Sequence, residues 1–200
     1  MKKRLPVIIG IVLTIVIAFL YGNTKKTHGI YDNNVNTAVY SGIGVLAEGE
    51  TVTQTFICQE DKLDGFSIKS DVSGNYGAAT VFLKVMDAET GEVLTEGQES
   101  GGNVKARKLH YYKVPTISDC KGKTLILQVS ESNTTATDGV SLYYQPSSET
   151  GKLLVKNSSV SGTFVMKTVT ERFDLETFAV MLFSEWFIWG FLWFLYRLFK

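Results

Sequence analysis

The sequence predicts an all-β domain flanked by two transmembrane α-helices. Two apolar runs, residues 5–21 and 177–196, stand near the ends of the 200-residue chain. Between them, short segments of alternating polar and apolar residues are separated by polar turns, and no helical periodicity interrupts them. About eight or nine such segments are typical of a β-sandwich, in which alternate residues of two antiparallel sheets meet in one core.

Each apolar run is close to the roughly 20 residues that a helix needs to cross a bilayer. Three basic residues precede the first run, and Arg197 and Lys200 follow the second. Because basic residues beside a span are retained in the cytoplasm, we expect residues 1–4 and 197–200 to be cytoplasmic and the central domain to be extracytoplasmic. The first run ends without a small-x-small cleavage pair, which favours an uncleaved signal anchor over a signal peptide.

The region between the runs is long enough to bury one core and too short for two ordinary domains. Residues 22–42 are polar and rich in Asn, Gly and Thr, so we expect a linker there. The sandwich is expected over residues 43–172. Within it, residues 51–58 alternate as a strand does, and one face carries Val52, Gln54, Phe56 and Cys58.

Four segments of this region resemble a known family. They are QTF at 54–56, LDGFSI at 63–68, LKVMD at 83–87 with TG at 90–91, and GKTLILQV at 122–129. Together they are similar to the galactose-binding-like jelly roll of bacterial envelope membrane proteins. The resemblance implies a jelly-roll fold over residues 45–170, in a domain beside or appended to polytopic glycan-assembly proteins. It implies a fold more than a particular ligand.

Composition and motifs argue against several functions. The 20 basic and 20 acidic residues cancel, so no net charge attracts nucleic acid. His28 and His110 have no Cys, Asp or Glu nearby at metal-ligand spacing, and no GxSxG motif is present. We therefore expect no cofactor, no metal site and no enzymatic activity. A glycoside hydrolase stays open only if carboxylates approach in space, among Glu60, Asp61, Asp64, Asp71 and Asp87.

A sugar site needs aromatic faces and fixed polar groups. All three tryptophans lie in the second apolar run, so the central domain offers only Tyr and Phe. Tyr76, in the polar loop after Asp71, is the first candidate, and Tyr111 and Tyr144 follow, each in a Tyr-Tyr pair. Asp71 and Asn75 are the polar candidates. A structural calcium ion between these two is open, although their spacing matches no calcium-binding motif.

The cysteines Cys58 and Cys120 both fall in the region assigned to the outside. In an oxidising compartment they would pair, and closing a loop of about 60 residues adds about 4 kcal/mol in the chain-entropy model. The alternative is a pair of small unbonded core residues.

Glu185 lies inside the second apolar run, where an exposed acidic side chain costs roughly 3 kcal/mol or more. It should therefore be neutral, or face a partner helix or a polar cavity. Gly190 permits close approach nearby, so Glu185, Trp189 and Gly190 are the predicted interface with another membrane protein or with the first span. Within the first run the only polar side chain is Thr14.

The prediction is a non-enzymatic accessory subunit of bacterial envelope polysaccharide or glycosylation machinery, with an extracytoplasmic carbohydrate-binding-like sandwich. Its expected partners are membrane lipid, a polytopic membrane protein bound through the second span, and a glycan. One alternative is a free-standing surface module that binds glycan for adhesion or sensing. A second alternative is an envelope glycoside hydrolase.

Overall fold

The computed structural model describes residues 5–147 and 152–200. The predicted cytoplasmic N-terminus, residues 1–4, lies outside the described residues. The chain divides into a β unit, Thr27–Thr170, and a helical unit formed by the chain up to Lys26 and from Glu171 onward. The β unit consists of two antiparallel sheets, which confirms the predicted all-β sandwich.

The described residues form two α-helices and thirteen strands. In chain order these are α1 (Leu5–Gly22), β1 (Asn23–Gly29), β2 (Ser41–Val45), β3 (Thr51–Ile57), β4 (Lys62–Ser73), β5 (Thr80–Asp87), β6 (Val93–Ser100), β7 (Lys108–Ser118), β8 (Thr124–Ser132), β9 (Gly139–Pro146), β10 (Leu153–Val155), β11 (Ser158–Val160), β12 (Gly162–Phe164), β13 (Met166–Phe173) and α2 (Leu175–Leu198). The predicted number of strands, eight or nine, was too small. One reason is that β10, β11 and β12 have three residues each, which is too few to show alternation.

The strands form one sheet of seven and one of six. The larger sheet has the order β1-β13-β4-β9-β12, with β2 also paired to β9 and β7 also paired to β4. The smaller sheet has the order β11-β10-β3-β8-β5-β6. Strand β4 is the centre of the larger sheet, since β13, β7 and β9 all pair with it.

The structure corrects the predicted linker over residues 22–42. Residues 23–29 form β1, which lies beside β13 at the edge of the larger sheet. Its sequence NTKKTHG has no apolar alternation, so the strand was invisible to pattern analysis. The pairing with β13 imposes the extended conformation, as tertiary context commonly does for short strands.

The core fills the space between the two sheets. The predicted inner face of β3 is confirmed, because Val52, Gln54, Phe56 and Cys58 are all buried. Phe56 of one sheet meets Phe66 of the other edge to face, with ring centroids 5.7 Å apart. Such aromatic pairs stabilise a core by about 0.5–1.5 kcal/mol beyond the burial of their surface.

Two hairpins show how turn residues set the strand register. Between β5 and β6, the Asp87 carboxylate accepts hydrogen bonds from the backbone N–H groups of Glu89 and Thr90. Between β10 and β11, Lys156 and Asn157 have φ of 51° and 63°. Two successive residues with positive φ give the turn that suits the right-handed twist of a two-residue hairpin.

The helical unit contains one helix that is long and apolar enough to cross a membrane, α2. Its 24 residues give about 36 Å, against a hydrocarbon core of about 30 Å. The described apolar part of α1, Ile8–Gly22, is shorter than that requirement. The described residues therefore support one span by length and composition, and the first span remains an expectation.

The two helices pack against each other through small residues of α1. One α1 face, at a spacing of four residues, carries Gly10, Thr14, Ala18 and Gly22. A Cβ atom on Gly22 would lie 3.1 Å from the Cβ of Phe178, and one on Gly10 would lie 4.0 Å from the Trp189 ring. Small residues at such spacing let two helix backbones approach closely.

Glu131, on β8, is a carboxyl group buried inside the sandwich, with 3% of its surface exposed. Its Oε2 accepts a hydrogen bond from the backbone N–H of Val140 at 3.0 Å, and Oε1 has no partner among the described residues. Burial raises the pKa of Glu131 to about 7, although hydrogen bonds from the backbone act in the opposite direction. The folded protein therefore retains this proton where the unfolded chain has released it.

We predict that the free energy of unfolding falls as the pH rises from about 4.5 to about 7. In this window the folded carboxyl is protonated and the unfolded one is ionised, so folding takes up a proton and a higher pH opposes it. The raised pKa corresponds to about 3 kcal/mol. Denaturant unfolding of the full-length protein in detergent measures the profile.

Glu131→Gln is the matched control, because the amide keeps the shape and does not titrate. The variant should lose this part of the pH dependence. Equal pH dependence in the variant and the wild type would contradict the assignment to Glu131.

Candidate functional site

The structure separates the predicted ligand residues of the loop after β4. Tyr76 begins a short 3-10 helix, Tyr76–Ala78, and is half-buried. The backbone N–H of Asn75 donates to Asp138 Oδ1 at 2.8 Å, whereas Asp71 lies on β4 and bonds elsewhere. For the calcium ion considered at Asp71 and Asn75, the described residues offer no group of three or more His, Cys, Asp or Glu that could hold a metal.

The two tyrosine pairs follow the alternation of their strands. Tyr112 is fully buried, and Tyr111 faces outward with its hydroxyl donating to the Asp64 carbonyl at 3.2 Å. In the second pair, Tyr144 packs against the core and Tyr143 faces outward. Of the two rings, the predicted ligand residue Tyr144 therefore lies inside, and its neighbour Tyr143 is presented to the surface.

Tyr143 belongs to a group of aromatic and charged side chains on the outer surface of the larger sheet. We call this group the tyrosine face and define it as Tyr40, Lys69, Asp71, Arg107 and Tyr143. The Lys69 ammonium lies 5.5 Å from the ring centroid of Tyr40 and 5.6 Å from that of Tyr143. The Tyr143 hydroxyl donates to Asp71 Oδ2 at 3.0 Å, and Arg107 Nε lies 3.4 Å from the same oxygen.

The local sequence explains how the tyrosine face assembles. Ile68 and Ser70 of β4 are buried, so the alternation of the strand directs Lys69 and Asp71 outward together. Arg107 precedes β7 with a left-handed backbone, φ 59°, which few residues other than glycine adopt. This turn brings its side chain over β4.

The surroundings of the tyrosine face keep Asp71 ionised. Burial acts to raise the pKa of Asp71, but hydrogen bonds from the Val72 N–H and the Tyr143 hydroxyl, with the Arg107 charge, lower it overall. Burial first and the bond to Asp71 second raise the pKa of Tyr143, so its phenol remains a donor. The tyrosine face thus holds two cations, one carboxylate and two phenol rings.

This arrangement can bind a ligand that has both an apolar face and hydroxyl groups. A phenol ring supplies apolar contact area, and the carboxylate and ammonium accept and donate hydrogen bonds at its edge. Lys69 has a flexible four-carbon stem, so its ammonium can leave the ring faces and bond to a ligand hydroxyl. Sequence analysis identified Asp71 but missed the other four members, because they converge from separate strands and turns.

Cys58 and Cys120 are brought together in the core, with their sulfur atoms 2.9 Å apart and both side chains buried. The structure contains them as thiols, and both sulfurs lie 3.3 Å from the Glu60 carbonyl oxygen. Burial, with the neighbouring Cys58 thiol, raises the pKa of Cys120 to about 12. Such a thiol is a poor nucleophile, so these cysteines fit a structural role better than a catalytic one.

We predict that Cys58 and Cys120 form a disulfide when the protein is exported. Denaturing the purified protein without reductant should expose no thiol to maleimide, and reduction should expose two. Loss of the bond in Cys120→Ser should lower the free energy of unfolding by about 4 kcal/mol. Two thiols that label before reduction, in protein taken from oxidising conditions, would contradict the prediction.

Four of the five carboxylates considered for glycoside hydrolysis have structural partners of their own. The Thr116 hydroxyl donates to Asp64 at 2.5 Å, and Asp71 belongs to the tyrosine face. Asp87 holds the turn after β5. Glu60 bonds to His28, with Oε1 2.8 Å from Nε2.

The His28–Glu60 pair gives His28 an acidic neighbour that its sequence spacing did not reveal. His28 is on β1 and Glu60 follows β3, so they are distant in sequence and adjacent only through sheet packing. His110 is buried against Tyr112, with ring centroids 4.7 Å apart, and burial lowers the pKa of its imidazole. His110 therefore lies in the interior of the β unit and not in solvent.

In the helical unit, the predicted interface residues differ in their surroundings. Glu185 lies on the same α2 face as Phe178 and Trp189, which adjoin α1, and its Oε2 is buried with no partner among the described residues. A Cβ atom on Gly190 would meet nothing within 4 Å, so that position is open. The carboxyl thus lies on the side of α2 that packs against α1.

No known protein family and no curated protein matches the chain. The clostridial cysteine protease Cwp84 after propeptide cleavage is similar over 74% of this chain and 40% of its own, with 16% identity and a TM-score of 0.40. The cysteine protease and lectin-like domains of Cwp84, a surface layer associated protein of Clostridium difficile, match 68% of this chain and 36% of theirs, with 15% identity and a TM-score of 0.36.

The flagellar cap protein FliD of Escherichia coli matches 88% of this chain and 68% of its own, with 10% identity and a TM-score of 0.18. The chain spans well under half the length of the two Cwp84 structures. With identities and TM-scores this low, the similarities assign neither a family nor an activity to the chain.

Proposed function

We propose that this protein is a non-enzymatic, membrane-anchored binding protein whose β-sandwich binds glycan outside the plasma membrane of a bacterium. The observation that carries the proposal is the tyrosine face, where the Lys69 ammonium lies between two tyrosine rings beside the ionised Asp71. Its two half-buried rings and three charged groups suit a sugar, which has an apolar C–H face and a polar hydroxyl rim.

The C-terminal end of α2 supports membrane anchoring. Arg197 lies over the Trp193 ring at 5.6 Å and Lys200 over the Tyr196 ring at 5.5 Å. Aromatic rings with adjacent cations are typical of the membrane–water interface, and cations favour the cytoplasmic side. The proposed topology places both termini in the cytoplasm, with α1 as the second span.

We also propose that α2 docks to a polytopic glycan-assembly protein, so that the chain is an accessory subunit. The open surface at Gly190, next to Trp189, gives another helix room to approach. A second candidate function is a free-standing surface module. The orientation of Glu185 favours this candidate, because a carboxyl group that faces α1 needs no helix from another protein. In both cases the sandwich is proposed to be a galactose-binding-like jelly roll.

Tyr143→Ala is predicted to weaken glycan binding by about tenfold, because it removes one aromatic face and the hydroxyl that holds Asp71. Binding of the full-length protein in detergent to an array of bacterial envelope glycans measures the effect. The matched control is Phe82→Ala, a partly exposed aromatic residue on the smaller sheet. Failure of the wild type to bind any glycan, or equal binding by Tyr143→Ala, would contradict the proposal.

A further inference from the structure

The β unit contains a cavity of about 360 Å³ that is separate from the tyrosine face. It lies at the side of the sandwich where β1, β12 and β13 of the larger sheet approach β3 of the smaller one. Its volume falls within the range of about 300–1,000 Å³ that small-molecule sites occupy. Sequence analysis proposed no ligand site among the residues that line it.

Four of the residues that line this cavity are threonines. Thr55, Thr124 and Thr163 make no side-chain hydrogen bond within the described residues, so each hydroxyl is available both to donate and to accept. Gln54 is different, because its Nε2 donates to the Thr55 carbonyl and its Oε1 accepts from the Phe164 N–H, both at 2.9 Å. Its amide is a fixed part of the wall.

Two basic residues line the cavity, His28 and Lys152, and each interacts with another residue of the protein. His28 lines the cavity, and its Nε2 lies 2.8 Å from Glu60 Oε1. Since Nε2 is occupied, Nδ1 is the ring nitrogen left to bond to a ligand. The carboxylate beside His28 disfavours an anionic ligand at this position.

Apolar side chains complete the wall. Phe56 closes the interior, and Ile57 is 57% exposed although it is a large aliphatic residue. The cavity thus combines free hydroxyls, one imidazole nitrogen and an aliphatic surface. This combination fits a small neutral molecule with several hydroxyl groups and an apolar face.

We propose that this cavity is a second binding site and that its ligand is a neutral hexose, either free or at the end of a glycan chain. The hydroxyls of Thr55 and Thr163 and Nδ1 of His28 bond to the sugar hydroxyls, and Ile57 covers the C–H face. The inference goes beyond the proposed function, because the cavity would bind its ligand even if the tyrosine face bound none.

Calorimetric titration of the full-length protein in detergent tests the site, with D-glucose, D-galactose and D-mannose as separate probes and D-glucuronate as the anionic comparison. At least one neutral hexose should bind with a Kd below about 10 mM, and this Kd should be lower than that of glucuronate. Thr55→Val, which replaces a hydroxyl with a methyl group, should weaken that binding about tenfold, and Thr163→Val provides a second measurement on another strand.

The matched control is Thr53→Val, on the same face of β3 two residues earlier and outside the cavity. It should bind like the wild type. The inference is overturned if no neutral hexose binds to folded protein, if glucuronate binds more tightly, or if both cavity variants bind like Thr53→Val. Loss of hexose binding in Tyr143→Ala, with both cavity variants unaffected, would place the sugar on the tyrosine face and would also overturn it.

Discussion

The alternation of side chains along β4 is the constraint on which the rest of the structure depends. Phe66, Ile68 and Ser70 point into the core, where burial of apolar surface stabilises the sandwich. The same geometry forces Lys69 and Asp71 onto the outer surface. A shift of one residue would bury both charges and expose the core residues, so the register of β4 is strongly specified. Core packing and the position of the tyrosine face are thus two results of one constraint.

Local sequence patterns were enough to predict the structural features that depend on residues close together in the chain. The inner face of β3 and the apolar length of α2 follow from residues a few positions apart, and both appear in the structure. In each tyrosine pair one ring packs toward the core and its neighbour faces outward, because successive side chains of a strand point to opposite faces. Their direction was not predictable, because it depends on which sheet face the core covers.

Contacts between residues that are far apart in the chain could not be predicted from the sequence. His28 meets Glu60, and Tyr143 meets Asp71, only after strands from different parts of the chain pair or stack. The polar strand β1 was missed for the same reason, since its conformation comes from β13 rather than from its own residues. The candidate sites consist mainly of such contacts. Sequence analysis therefore found the scaffold more fully than the residues that bind.

The helical unit is subject to a different physical constraint from the sandwich. The α2 helix is long and apolar enough to cross a membrane, and in a bilayer a polar side chain such as Glu185 needs a protein neighbour. The aromatic residues of α2 are largely exposed and suit contact with lipid or with another helix.

The location of the sandwich tests this account most directly, and a cysteine at the exposed turn residue Glu89 can report it. Since Cys58 and Cys120 are buried, Glu89→Cys should be the reactive thiol of the β unit. A membrane-impermeant maleimide added to intact cells should label Glu89→Cys, whereas Arg197→Cys should label only after the membrane is permeabilised. Labelling of Arg197→Cys in intact cells, with Glu89→Cys protected until permeabilisation, would show that the sandwich is cytoplasmic and would contradict the account.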